Sequence, residues 1–161
     1  MSTVSFLIKA HLYAALACVL YLLACLSMSH PVLQRQYLFL HNVRFPMFAK
    51  YSEPHLYGSL VGQTRNLYIP STDNVTLGAW HYLPKAFYDA HVNELQNTQA
   101  EALNALFDEA LRTYPTYVFL HGNGLNRAAS FRVRTCTDIA QELNANVFAI
   151  DYRGYGAVSY T

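Results

Sequence analysis

The sequence predicts an α/β fold in which a β-hairpin is followed by a strand–helix–strand (βαβ) unit, with one transmembrane helix before them. Three features support this prediction. Residues 12–29 contain no charged residue and no histidine. Residues 63–69 and 75–83 are strand-like stretches on either side of a turn. Residues 117–120 and 147–150 are short apolar runs on either side of a helical pattern. Two parallel strands joined by a crossover helix form a right-handed unit.

The first 29 residues predict an uncleaved signal anchor. A bilayer core takes about 20 apolar residues of helix, and residues 4–8 extend the uncharged run 12–29 if Lys9 places its ammonium group at the interface. A cleaved signal peptide is the alternative, since Ser27 and Ser29 are small residues, but its apolar region is usually only about 7–15 residues long. We therefore expect a single-pass membrane protein with the lipid bilayer as a partner.

Residues 30–54 are predicted to form an apolar linker, and residues 55–161 a second domain. His30-Pro31 ends the N-terminal helix. The linker is too apolar for a solvated tether, so we expect it to pack on the second domain or to lie at the membrane surface. Its apolar residues include Phe39, Leu40, Val43, Phe45, Met47 and Phe48.

The second domain is predicted to begin with an antiparallel hairpin, whose strands 63–69 and 75–83 flank the turn residues 70–74. A helix is predicted over residues 94–112, where apolar residues recur three and four positions apart. This stripe consists of Leu103, Leu106, Phe107, Ala110 and Leu111. Residues 117–120 and 147–150 are continuously apolar, which is typical of parallel strands covered on both faces, and residues 128–143 provide the crossover helix.

The composition argues against several classes of partner. The net charge is +1 and there is no basic cluster, so no nucleic-acid partner is expected. The three cysteines form no CxxC pair, and neither they nor the seven histidines show metal-ligand spacing. We therefore expect neither a metal nor a cofactor.

The residues after the first apolar run are the best candidates for chemistry. His121, Gly122, Asn123 and Gly124 follow the strand directly, and glycines there allow a tight turn that exposes N–H groups at the carboxyl end of the sheet. In acyl transfer, such N–H groups bind the negative charge that develops on the carbonyl oxygen. We interpret the backbone N–H of Asn123 as an oxyanion-hole donor. The alternative is an ordinary glycine turn that closes a βα unit.

A second loop makes this pattern more specific. The second apolar run is followed by Asp-Tyr-Arg-Gly-Tyr-Gly at residues 151–156. Together, the two loops resemble the N-terminal half of the sheet of the α/β-hydrolase family, and in particular its membrane-anchored lipase branch. The N-terminal anchor and residues 45–48 and 73–81 extend this resemblance over most of the chain.

The resemblance implies a membrane-anchored serine hydrolase of the endoplasmic reticulum, with its C-terminal part in the lumen. Its substrates would be acyl esters of monoacylglycerol or lysophospholipid, cleaved by a Ser-His-Asp mechanism. Asn123 matches the oxyanion-hole position, and the residues that shape the loops are His121, Gly122, Gly124, Arg153, Gly154 and Gly156. Lumenal placement would make Asn74, in the sequon Asn74-Val75-Thr76, a glycosylation site.

The catalytic residues themselves are not in this sequence. No G-x-S-x-G motif is present, and Ser159 lacks the flanking glycines and the following helix that a nucleophile needs. Asp151 is interpreted as fixing its turn, because the acid of the triad comes later in the chain of this family. The resemblance stops at Gly156, so we expect a truncated hydrolase that is inactive as given. The alternative is a non-catalytic, membrane-bound α/β-hydrolase-like binding module.

We predict that the 161-residue chain forms no specific adduct with a fluorophosphonate probe. An oxyanion-hole N–H without a nucleophile and a base cannot cleave an ester by this route. Fluorophosphonate labelling followed by peptide mass spectrometry checks this, with a known serine hydrolase as the positive control. A stoichiometric adduct on Ser159, or on any other serine, would contradict the prediction.

Overall fold

The computed structural model describes residues 3–40, 43–73, 75–97 and 100–156. The chain forms two compact units, residues 1–40 and 41–161. The first unit contains α1 (Thr3–Ser27) and α2 (Pro31–Phe39), so part of the predicted linker is helical. The stretch Val4–Ser27 of α1 is long and apolar enough to cross a membrane, and none of its most apolar window is buried by the protein itself. By length and composition, α1 is therefore a candidate membrane span.

The second unit is built on a mixed sheet of four strands in the order β1-β2-β4-β3. The strands are β1 (Thr64–Pro70), β2 (Thr76–Tyr82), β3 (Thr116–Leu120) and β4 (Asn146–Ile150). β1 pairs antiparallel with β2, β2 antiparallel with β4, and β3 parallel with β4. The predicted hairpin and βαβ unit are therefore confirmed.

The helices of the second unit are α3 (Lys85–Asn97), α4 (Ala100–Thr113) and α5 (Ser130–Glu142), and a short 3-10 helix covers Pro54–Tyr57. α5 confirms the predicted crossover helix. The single helix predicted over residues 94–112 is wrong in its bounds, because α3 begins directly after Pro84, nine residues before the predicted start, and α4 begins only at Ala100. The apolar stripe of α4 does face the core, where Phe107 and Ala110 are fully buried.

Helices cover both faces of the central strands. On one face, α5 packs Val133, Cys136 and Ala140 against Trp80 and other buried residues of β2 and β4. On the other face, α3 and α4 form a second apolar cluster with Phe107 and Ala110 at its centre. Cys136 is part of the first cluster and is not a reactive thiol, because burial raises its pKa to about 12.

β3 is much more exposed than the sequence predicts. The continuous apolar run indicates a strand covered on both faces, but Tyr117, Val118 and Leu120 are 47%, 57% and 64% exposed. The reason is that β3 is the edge strand, and β4 is its only partner within the described residues. Phe119 alone packs against the cluster under α5. An open edge with apolar side chains is a surface at which chains associate.

We predict that the second unit, made alone from about residue 52, is aggregation-prone through the edge of β3. Val118→Lys should reduce this association, because a charge on an edge strand opposes pairing with another chain. Tyr68→Lys is the matched control, since Tyr68 is 59% exposed on β1, at the opposite edge. Sedimentation analysis of the three proteins measures the effect. A monomeric, cooperatively melting wild-type unit would contradict the prediction.

One buried histidine, His81, connects β2 to α4, with 5.1 Å between its ring centre and that of Phe107. His81 on β2 is fully buried and stacks on Phe148 of β4, with 4.4 Å between ring centres. Its Nδ1 accepts a hydrogen bond from Nε of Arg65 at 3.2 Å, so Nε2 carries the proton and donates it to Oδ1 of Asn146 at 2.9 Å. Burial is the main cause that lowers the pKa of His81 from 6.5 to about 4.

We predict that acid destabilises the second unit through His81. The unfolded chain binds the proton of His81 more tightly than the folded chain does. The contribution of neutral His81 to the free energy of unfolding is therefore complete above about pH 6.5, and it is lost as the pH falls from there through about 4. The loss amounts to roughly 3 kcal/mol. Melting of the full chain in detergent, followed by the fluorescence of Trp80, measures this dependence. His81→Gln should flatten the slope between these pH values, whereas His55→Gln, at an exposed position, should leave it unchanged.

Candidate functional site

The loops that follow β3 and β4 meet at the carboxyl ends of these parallel strands. Leu120 pairs with Ile150 as the last residues of the two strands, so residues 121–127 (the β3 loop) and 151–156 (the β4 loop) begin side by side. The hydroxyl of Tyr152 donates to the carbonyl oxygen of His121 at 2.8 Å, and the hydroxyl of Tyr155 lies 3.1 Å from Oδ1 of Asn123. The two loops thus form one site.

His121 lies at the centre of an aromatic cluster. Its ring centre is 4.3 Å from that of Tyr152 and 5.3 Å from that of Tyr155, and the residue is only 4% exposed. Its Nδ1 lies 2.8 Å from the carbonyl oxygen of Gly122. Because a carbonyl oxygen can only accept a hydrogen bond, Nδ1 of His121 is the donor. Burial raises the pKa of Tyr152 above 10, so its hydroxyl stays protonated. These groups hold the backbone of the β3 loop in one conformation.

A buried ion pair underlies both loops. The side chains of Arg127 and Asp151 are fully buried, and Nη1 of Arg127 binds Oδ2 of Asp151. The other carboxylate oxygen of Asp151 accepts the backbone N–H of Arg127 at 2.7 Å, and Nη2 of Arg127 donates to Oδ1 of Asn66 at 2.9 Å. The guanidinium group also stacks on Tyr51, 3.9 Å from its ring centre. Asp151 therefore links the β4 loop to the end of the β3 loop.

The glycines of the two loops differ in how strictly their positions require glycine. A Cβ at Gly156 would lie 1.8 Å from Oδ2 of Asp151, and φ there is +57°. Gly124 and Gly154 also have positive φ, at +68° and +86°. A Cβ at Gly122 would meet open space. Arg153 lies at the surface, where it forms an ion pair with Asp73.

Arg132, like Arg127, is a residue of the site that sequence reasoning missed altogether. It is 4% exposed, and its guanidinium group donates to the backbone of the β3 loop. Nη2 lies 2.8 Å from the carbonyl oxygen of Gly124 and 3.1 Å from that of Gly122, and Nη1 lies 3.2 Å from that of Asn126. The sequence carries no signal for this role, because an arginine near the start of a helix is usually a surface residue.

These contacts set the direction of the N–H group of Asn123. The carbonyl of Gly122 and the N–H of Asn123 belong to the same peptide unit, and in a trans peptide the two point in opposite directions. Arg132 and His121 both bind that carbonyl, so the N–H of Asn123 points away from them. The peptide dipole therefore presents its positive end on the other side of the loop.

The β3 loop is also bound to the segment 43–48. The N–H of Leu125 donates to the carbonyl oxygen of Val43 at 3.0 Å, and Nδ2 of Asn126 donates to that of Pro46 at 3.3 Å. The backbone of this segment thus packs on the β3 loop within the second unit. Its side chains Phe45, Met47 and Phe48 nevertheless remain exposed.

Two predicted or considered sites lie outside the described residues, namely the glycosylation site Asn74 and the rejected nucleophile Ser159. Within the described ranges, no group of three His, Cys, Asp or Glu side chains is placed to hold a metal ion. At the end of β3, the structure fixes the carbonyl of Gly122 by hydrogen bonds to His121 and Arg132.

Comparison with known proteins finds relatives that share this region. The chain is 32% identical over 128 residues to the lysophosphatidylserine lipase ABHD12 of Xenopus tropicalis, covering 78% of the chain and 30% of the relative. The chain is 30% identical over 126 residues to the lysophosphatidylserine lipase ABHD12 of Rattus norvegicus, covering 78% of the chain and 29% of the relative. Protein ABHD12B of Homo sapiens is 30% identical over 98 residues, with coverage of 60% and 24%. No family model and no solved structure matches the chain.

The chain resembles the α/β-hydrolase family and its lipase branch, as the sequence predicts. It spans less than a third of the length of the relatives that it matches, at 30%, 29% and 24%.

We predict that Asp151→Asn strongly destabilises the second unit. The substitution leaves the guanidinium group of Arg127 buried without its counter-charge, which typically costs about 3–5 kcal/mol. Asp138→Asn is the control, since Asp138 is exposed on α5. Denaturant unfolding of the full chain in detergent, followed by the fluorescence of Trp80, gives the difference in free energy. A loss below about 1 kcal/mol, as for an exposed ion pair, would contradict the buried ion pair.

Proposed function

We propose that this chain provides the membrane anchor and one oxyanion-hole donor of a serine hydrolase that cleaves acyl esters of lysophospholipids or monoacylglycerols. The observation that carries the proposal is the orientation of the Gly122–Asn123 peptide by Arg132 and His121. The names of the relatives support the substrate class, because ABHD12 is a lysophosphatidylserine lipase.

In this mechanism, a serine attacks the ester carbonyl and negative charge develops on its oxygen. The N–H of Asn123 would stabilise that charge, a contribution worth on the order of 10²–10³ in rate for a single donor. The nucleophile, the base and the acid lie outside the 161 residues. His121 is a poor candidate for the base because it is buried and holds a backbone carbonyl, and Asp151 is a poor candidate for the acid because it is bound to Arg127.

A membrane anchor suits this chemistry. Long-chain acyl esters partition into bilayers, and α1 is a candidate span. We place the protein in the endoplasmic reticulum with the second unit in the lumen, as the family resemblance implies. Charge does not decide the orientation, since Lys9 and the amino terminus on one side balance Arg35 and Arg44 on the other.

A second candidate function is a non-catalytic, membrane-bound binding module. The observation that favours it is the lack of a G-x-S-x-G motif in the 161 residues. Reading the transcript beyond the codon for Gly156 separates the two functions. An in-frame G-x-S-x-G within the next hundred or so codons supports the hydrolase, and its absence from the locus supports the module.

The hydrolase proposal is tested in the protein encoded by the whole reading frame. Asn123→Pro removes the backbone N–H, whereas Asn123→Ala keeps it and removes only the side chain. We expect Asn123→Pro to lower kcat for lysophosphatidylserine by about 10²–10³ and Asn123→Ala to lower it far less. The fluorescence of Trp80 checks that both variants fold. Equal losses in the two folded variants would contradict a role for this N–H group.

We predict that the full chain remains in the membrane pellet after alkaline carbonate extraction, because α1 is long enough to span the bilayer. Complete release of the chain by carbonate would contradict the anchor.

We also predict that the chain carries one glycan in cells that glycosylate lumenal sequons, and that Asn74→Gln removes this glycan. Protease digestion of the second unit in intact microsomes would contradict only the lumenal orientation.

A further inference from the structure

A groove of about 600 Å³ lies beside the two loops of the candidate site. It is lined by residues 43–49 together with Tyr51 and Gly156. We propose that this groove binds a single-chain lipid with an anionic head group, such as a lysophospholipid, with the acyl chain against Phe45 and Phe48 and the phosphate at Arg44. This inference rests on the proposed function and deepens it by naming a binding site for the substrate class.

The apolar side chains of the groove are unusually exposed. Phe45, Met47 and Phe48 are 61%, 69% and 98% exposed, and contact with water costs roughly 25 cal/mol per Å² of apolar surface. Phe48 also has a φ of +56°, a region that a bulky side chain rarely adopts. A residue that is both strained and solvated is expected where a ligand completes the site. The groove therefore gains apolar contacts when an acyl chain fills it.

The charge of the groove selects an anionic ligand. Arg44 is the one charged residue of its lining, and it forms no ion pair with any carboxylate of the described residues. The neighbouring Lys50, by contrast, lies 3.5 Å from Glu53. A guanidinium group offers two parallel N–H donors that match the oxygens of a phosphate. Arg44 thus provides the head-group contact that a neutral lipid would not use.

The shape of the groove favours one lipid molecule over a bilayer surface. Its volume of about 600 Å³ falls within the range of about 300–1,000 Å³ that is usual for ligand pockets. Docking to an anionic membrane surface usually relies on clusters of about 4–8 basic residues, whereas this groove has Arg44 alone.

The groove is also joined to the candidate site by hydrogen bonds. The carbonyl oxygens of Val43 and Pro46 accept from Leu125 and from the side chain of Asn126, both in the β3 loop. Gly156, at the end of the β4 loop, forms part of the wall. A lipid in the groove therefore contacts a segment that is bound to the loop carrying Asn123.

The experiment uses the full 161-residue chain in phosphatidylcholine nanodiscs. A lysophosphatidylserine with a photoactivatable diazirine in its acyl chain is crosslinked, and the labelled peptides are mapped by mass spectrometry. We expect labelling within residues 43–51. Arg44→Gln should reduce it by about 10- to 100-fold, because a hydrogen bond to a charged group contributes about 1.5–3 kcal/mol. The same variant should not change labelling by a neutral photoactivatable monoacylglycerol.

Two further variants complete the test. Phe48→Asn removes the ring and suits the positive φ, so it should weaken labelling by both lipids without lowering the melting temperature. Arg134→Gln, at an exposed position on α5, is the control and should change nothing. Labelling confined to α1, or labelling of residues 43–51 that neither Arg44→Gln nor Phe48→Asn alters, would overturn the inference.

The outcomes also separate this inference from the proposed function. If the whole protein hydrolyses the lipid but residues 43–51 are not labelled, the inference of a lipid site in the groove is overturned and the proposed hydrolase function is retained. If the whole protein does not hydrolyse lipid esters but labelling still depends on Arg44, the groove is supported as the lipid site of a binding module. The proposed hydrolase function is then overturned.

Discussion

The buried ion pair between Arg127 and Asp151 is the interaction on which the second unit depends. It joins the end of the β3 loop to the start of the β4 loop, and through Asn66 it reaches β1. Two buried charges are stabilising only when most of their remaining hydrogen-bonding groups are satisfied; here Asn66 and the backbone N–H of Arg127 bind the pair, and Nε of Arg127 has no partner among the described residues. The space that the pair occupies explains why residues 78 and 156 are glycines. A Cβ at Gly78 would lie 2.5 Å from Nη1 of Arg127, and a Cβ at Gly156 would lie 1.8 Å from Oδ2 of Asp151.

Arg132 uses the same chemistry for a different purpose. Arg127 holds strand ends together through a carboxylate, whereas Arg132 holds a loop through its carbonyl oxygens. Burial lowers the pKa of Arg132, and the start of a helix is an unfavourable place for a cation. The carbonyl dipoles of the β3 loop offset this cost. The same contacts direct the N–H of Asn123 away from Arg132 and His121, so stability and the proposed chemistry share one set of bonds.

The exposed apolar surface of the second unit has two separate origins. On β3, Val118 and Leu120 are exposed because a regular strand ends the sheet without a further partner among the described residues. In the groove, Phe48 is exposed and its backbone is in the left-handed conformation. The first surface suits another strand, since its backbone groups are regularly spaced. The second is concave and carries one cation, which suits a small amphiphile.

The sequence alone determined what depends on neighbours along the chain. Periodicity and turn residues predicted the hairpin, the βαβ unit, the stripe of α4 and the apolar segment that forms α1, and the two strand-end loops predicted the family. Only the tertiary structure decided which residues meet across the chain. Arg127 and Asp151 are 24 positions apart and Arg132 reaches back to Gly122, so no local pattern marks them. Nor could apolarity alone show that β3 is an edge, because burial depends on which strand lies beside it.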